Sequence, residues 1–185
     1  MKQAFIAACS LLLGAGCINL DAPPDLTRYF IMNGPNWSES QGGFAVEVTS
    51  VHLEPHLASP RMVIRSSDNE MRFSDLNRWA GPLDANIQTV LNGYLAVSPI
   101  GTISNRPAGN THLFVSVNVH RFEGHLPDRA TLAASWSVRD SSGQTLVQRR
   151  SEHTVSGFGG SDYEQLANLL EQTVSMLADE IASAI

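Results

Sequence analysis

Three runs in the second half of the chain limit its fold more than any other feature. In residues 112–123 (HLFVSVNVHRFE), Leu113, Val115, Val117 and Val119 occupy every second position. Residues 129–139 (RATLAASWSVR) repeat the pattern with Ala130, Leu132, Ala134, Trp136 and Val138. After an Asp140-Ser141-Ser142-Gly143 turn, residues 144–155 (QTLVQRRSEHTV) return as a third run. Apolar residues at period two belong to strands with one buried face, and short turns make such strands antiparallel neighbours. An apolar sheet face needs a cover. The next segment supplies one: Leu166, Leu169, Leu170, Val174, Leu177 and Ile181 recur at the spacing of one helical face. Ser161 and Glu164 form a capping box at its start, and Asp162 suits the positive end of the helix.

The first half is less regular. Arg28 to Met32 (RYFIM) reads as a short strand ended by Asn33-Gly34-Pro35-Asn36. Residues 44–53 (FAVEVTSVHL) alternate at Phe44, Val46 and Val48 and then change phase at Val51 and Leu53, as at a bulge. Residues 61–73 form two short strands around a Ser-Asp-Asn turn. Gly81-Pro82 opens a helix whose apolar face is Leu83, Ile87, Val90, Leu91, Tyr94 and Leu95, with Pro99 and Gly101 beyond it. Two amphipathic helices and six or so strands predict a single α/β domain, a mixed sheet flanked by helices.

The N-terminus has a different character. Met1-Lys2-Gln3, an apolar segment from Ala4 to Leu13 and Gly14-Ala15-Gly16-Cys17 have the charge, length and small residues of a secretory signal peptide. The apolar segment falls short of the ~20 residues that span a bilayer. Small residues ending at a cysteine resemble the lipobox of bacterial lipoproteins, although Gly14 stands where a branched apolar residue is usual. That resemblance makes Cys17 the lipidated first residue of the mature chain. Ile18 replaces the Asp that commonly retains such proteins at the inner membrane, which favours the outer one. The expected organisation is therefore a signal peptide at 1–16, a lipidated Cys17 and tether at 17–27, and a domain at 28–185. One acyl chain binds marginally whereas two or more hold stably, so a multiply acylated cysteine is a durable anchor.

Composition removes several classes of function. Lys2 is the only lysine and leaves with the signal, so arginines alone oppose 18 acidic residues. Such a chain has no footprint for nucleic acid and no basic cluster for anionic membranes. With Cys17 lipidated, no pair of cysteines is left for a disulfide framework.

The search for chemistry is equally bare. His52 and His56 have the spacing of helical metal ligands, but Pro55 argues for strand and loop there, and no metal site is expected. His112, His120, His125 and His153 lack ligand spacing. Gly157-Phe158-Gly159-Gly160-Ser161 resembles a phosphate-binding loop, yet no lysine accompanies it and no further βαβ unit follows. It reads as a strand-to-helix turn. There is no Gly-x-Ser-x-Gly elbow. Asp179 and Glu180 read as solvated residues of the last helix. No catalytic, cofactor-binding or metal residue is assigned, and an enzyme is not expected.

Specific likeness begins at Arg78-Trp79-Ala80-Gly81-Pro82-Leu83. With Cys17, Arg28-Tyr29-Phe30, Val46 to Val51, Pro55-His56-Leu57 and Met62-Val63-Ile64-Arg65, this order of motifs resembles the ABC-type transport auxiliary lipoproteins of the PqiC (YmbA-like) kind. The likeness spans nearly all of residues 17–185. It implies a mixed sheet between helices, similar to anticodon-binding-like and TolB N-terminal folds. It also implies a lipid-anchored outer-membrane protein, on the periplasmic face, beside an MCE-domain protein, a permease and an ATPase that move lipids. No catalytic residues or cofactors come with it. Protein contact is then the expected output, through a homo-oligomeric ring that matches a symmetric MCE tube. Trp79 is a candidate for structural packing or, less favoured, partner contact; Trp37 and Phe158, read as exposed aromatics, are candidate partner contacts. The other reading is a stand-alone envelope lipoprotein with a scaffold or ligand-binding role.

Overall fold

The computed structural model describes residues 24–35, 46–98 and 112–185. The three alternating runs are strands β5 (Leu113–His125), β6 (Arg129–Arg139) and β7 (Thr145–Ser156). They pair antiparallel in chain order, as hairpin connections require. Before them come β1 (Arg28–Phe30), β2 (Val46–Leu53), β3 (Arg61–Ser67), β4 (Glu70–Trp79) and helix α1 (Leu83–Val97); helix α2 (Tyr163–Ser183) ends the chain. A 3-10 turn at Pro55–Leu57 links β2 to β3.

All seven strands form one open mixed sheet in the order β1-β4-β3-β5-β6-β7, with β2 joined to β5 off this path. Strand β5 is its organiser. On one side it meets β6 along its whole length. On the other, residues Leu113 to Val119 pair parallel with β2, and Gly124 and His125 pair parallel with Ile64 and Arg65 of β3. The phase change in β2 is a bulge between Val48 and Ser50. A second irregularity, between Val119 and Arg121, lets β5 pass from one neighbour to the next.

The sheet has two unlike faces. Val115, Val117, Val119 and Phe122 of β5 share one face with Val138, Trp136, Ala134 and Leu132 of β6, and all are buried. Both helices lie on this face and pack against each other as well as the strands. The helices thus flank the sheet from one side, and the arrangement implied by the resemblance, a sheet between helices, is corrected. The opposite face carries Ser116, Asn118, Arg121 and Glu123 of β5 beside Ser137, Ser135, Ala133 and Thr131 of β6. Ser116, Asn118, Arg121, Ser135 and Ser137 keep contact with water there, while Glu123, Thr131 and Ala133 are buried; among the described residues no helix covers that side.

One further expectation shifts in detail. The N-cap of α2 is Asp162, not Ser161: its carboxylate accepts the backbone N–H groups of Glu164 and Gln165, each at 3.1 Å. A carboxylate at this position satisfies two orphan donors and meets the positive end of the helix dipole. Arg78 and Trp79, just ahead of Gly81-Pro82, end β4, where β1 pairs parallel with them at Tyr29 and Phe30.

Candidate functional site

Side chains from the helices reach the backbone at places where the sheet leaves polar groups unpaired. The Asn92 carboxamide accepts the Val48 N–H at 2.9 Å, and Gln88 donates to the Val48 carbonyl at 2.8 Å. These bonds cap β2 on the edge away from β5, beside its bulge. Asn86 holds Met32 in the same way, accepting its N–H and donating to its carbonyl at 3.0 Å each. At the next two residues, the Glu171 carboxylate of α2 accepts the N–H groups of Asn33 and Gly34 at 3.1 Å, and it also accepts the Tyr94 hydroxyl at 3.2 Å. Burial, and then the negative charge of Glu171, push the Tyr94 phenol above its ordinary pKa. The segment after β1 is thus clamped by both helices.

The helix-free face contains one fully buried carboxylate, Glu123. Arg65 donates to it from Nε at 2.5 Å and from Nη2 at 3.2 Å, and Arg121 donates at 3.0 Å. Arg121 also reaches Glu152 of β7 at 3.4 Å. The hydrogen bond that Arg65 donates to Glu123 is the main reason that the pKa of its guanidinium is raised above the ordinary value. This chain of charges crosses β3, β5 and β7 and strengthens the β3–β5 junction, where only two residue pairs are in register. Sequence reasoning passed over Glu123, because its partner Arg65 lies 58 positions away. Three residues before Glu123, His120 sits at the irregularity of β5 and contacts Glu54 at 3.0 Å and Ser135 at 2.9 Å.

Other residues singled out in the sequence fall as follows. Trp79 is buried, with its ring 5.8 Å from that of Phe122. Phe158, read as an exposed aromatic, is instead fully buried. It fills the space over Gly124, where an added Cβ would lie 2.6 Å from the Phe158 ring. Cys17 and Trp37 lie outside the described residues. Glu180 is not merely solvated: its carboxylate is 3.0 Å from His153 Nε2 of β7, in a geometry that falls short of a hydrogen bond. His52 lies in β2 and His56 in the 3-10 turn. Among the described residues no three His, Cys, Asp or Glu side chains converge as a metal requires. The Gly157–Ser161 stretch is a turn in which Gly157 and Phe158 donate to the Asp128 carbonyl at 2.6 and 2.9 Å. A partly open cleft of about 330 Å³ lies between the start of β7 and the end of α2, lined by Val138, Leu146, Val147, Ala184 and Ile185.

Among the described residues these contacts serve to hold backbone segments and strands together. The family model for the ABC-type transport auxiliary lipoprotein component matches residues 31–182, and the chain belongs to that family. The intermembrane transport lipoprotein PqiC of Escherichia coli (strain K12) is 25% identical over 188 residues, which cover 100% of this chain and 98% of the relative. Among solved structures, the crystal structure of an uncharacterized protein superposes with a TM-score of 0.70 at 20% identity, covering 85% of this chain and 97% of the other. A protein from Xanthomonas campestris superposes at 0.62 and 17% identity, covering 84% and 91%. These two share the fold.

Proposed function

We propose that this protein is the lipid-anchored accessory of an MCE/ABC-type lipid-transport system that links the inner and outer membranes. It sits on the periplasmic face of the outer membrane and acts by docking to other proteins. Its chain is divided into a signal peptide at 1–16, a lipidated Cys17 with a tether to residue 27, and the folded domain from 28 to 185. The observation that carries this reading is the end-to-end likeness to PqiC, whose name describes an intermembrane transport lipoprotein. Accessory status as a family member supports it. The partner is the MCE-domain protein of the transporter. A ring of copies meets the rotational symmetry of such a protein better than a single copy, because head-to-tail contacts close into rings.

The test is co-purification with the MCE protein encoded next to it, together with the mass of the detergent-solubilised protein. A stable complex and a closed oligomer are expected. A strict monomer at tens of micromolar that also ignores the MCE protein would favour the stand-alone lipoprotein instead.

A further inference from the structure

Large apolar side chains are exposed together at one end of the sheet. Leu26, Tyr29, Ile31 and Leu76 are 66%, 60%, 58% and 49% exposed. Arg28 pairs with Asn77 and Tyr29 with Arg78, so Leu76, one residue before Asn77, lies on the same face as Tyr29. Ile31, two residues after Tyr29, continues that line. For Tyr29, Ile31 and Leu76 the face is the helix-free one; Leu26 lies just before β1, the outermost strand at this end. Single exposed apolar residues are ordinary, whereas a cluster around one strand marks a contact surface. Arg78, the register partner of Tyr29, borders it and donates from Nε to the Asp75 carbonyl at 3.2 Å.

The position of the chain's attachment identifies what covers this cluster. Seven residue steps separate Cys17 from Pro24, the first described residue. Fully extended they reach at most about 25 Å. A domain of this size is roughly 40 Å across. The tether is therefore too short for its point of entry to lie on the side of the domain away from the bilayer. Leu26, Tyr29 and Ile31 follow immediately after that entry, and Leu76 sits next to them across the β1–β4 pairing. Tyrosine, with an apolar ring and a polar tip, suits the headgroup level of a membrane.

We infer that Leu26, Tyr29, Ile31 and Leu76 form a membrane-seating patch, which rests against the phospholipid surface and fixes the domain's orientation on it. The inference rests on Cys17 carrying the anchor. The tether limits distance; the patch decides which way the domain faces. With β1 lowered to the surface, β7 at the opposite end of the sheet points away from it and stays accessible to a partner.

The test uses the full lipidated chain in phosphatidylethanolamine–phosphatidylglycerol vesicles whose acyl chains carry bromine. Tyr29→Trp and Leu76→Trp are compared with Leu146→Trp, which lies on β7, each measured as the change from the parent protein. Side chains seated about 5–10 Å into the headgroup boundary should lose roughly half of the added emission, while Leu146→Trp keeps its own. Equal emission at all three positions, on protein that floats with the vesicles, overturns the patch and leaves the anchor intact. Cross-linking between Tyr29 regions of two copies, without quenching, also overturns it and assigns the surface to a second copy of this chain. A Cys17→Ala protein that still floats shows that the anchor lies elsewhere; quenching at Tyr29→Trp in that protein would support the patch on its own.

Discussion

On one face of the central hairpin Val117 lies opposite Trp136; one residue along, on the other face, Asn118 lies opposite Ser135. The first pair is sealed beneath the helices and the second is turned outward. The same backbone, hydrogen-bonded in the same way, thus serves two purposes. The helix side draws its stability from apolar area removed from water and tolerates few polar atoms: the Trp136 indole N–H is satisfied by Ser151 at 2.9 Å. The outward side has no such area, and its one buried charge, Glu123, is held by two arginines. Two mechanisms of cohesion act across one sheet, and they fail in different ways.

The largest test of that contrast is removal of α2. Its buried residues include Leu166, Leu169, Leu170, Val174, Leu177 and Ile181. Each buried aliphatic side chain contributes about 1.5–3 kcal/mol, so together they match a domain's whole net stability of about 5–15 kcal/mol. A chain ending at Gly160 should show no cooperative thermal transition by circular dichroism. A transition near the original midpoint would mean that the covered face does not need its cover.

Glu123→Gln probes the outward face. It leaves Arg65 and Arg121 facing a neutral amide; breaking a fully buried pair costs about 3–5 kcal/mol, and because both guanidiniums are partly exposed the expected loss is about 1–3 kcal/mol. Urea unfolding should show a lower midpoint at unchanged slope. A loss under about 1 kcal/mol would place the cluster among ordinary surface ion pairs and erase its distinction from the rest of that face.

The smallest effect sits where the two helices meet the segment after β1. Tyr94→Phe removes the hydroxyl that donates to Glu171, for an expected loss of about 0.5–1.5 kcal/mol near neutrality. Because the folded phenol is raised above its ordinary value of 10.0, its contribution is fully present below that value and fades as pH rises through the folded one. Stability of the parent protein should therefore decline more steeply above about pH 10 than that of the variant. Parallel curves would separate Tyr94 from Glu171.

How much of this was legible follows from the same contrast. Half-buried strands write their burial as alternation, so β5, β6 and β7 stand out from residue 113 onward, and the stripe of α2 is as plain. Strand β4 beyond Phe73 is not: Ser74, Asp75, Leu76 and Asn77 show no alternation, and Arg78 and Trp79 read as the approach to a helix. The parallel pairing of β2 with β5 leaves no local mark, since its partners lie more than sixty residues apart. Phe158, set among glycines, reads as a loop tip, and only a fixed place over Gly124 reveals it as core. The signal that would have found it was Gly124 itself, a glycine inside a strand, which often marks close approach. The Glu123 cluster had no signal of its own, because charge partners on different strands meet only once register is set. The proposed anchor and tether rest on the sequence pattern of residues 1–27.

The shared edge of β5 also governs the order in which this protein can acquire structure. Every ribosome delivers the N-terminal half first. Until residues 113–125 emerge, β2 has no strand to pair with and β3 has only β4. Strands β1 to β4 with α1 are thus a nascent segment with open backbone edges and a half-built core, awaiting a late arrival. Contacts of such long sequence separation slow folding, and exposed edges invite pairing with the wrong chain meanwhile. During synthesis and delivery, the early half is the part that needs to be shielded.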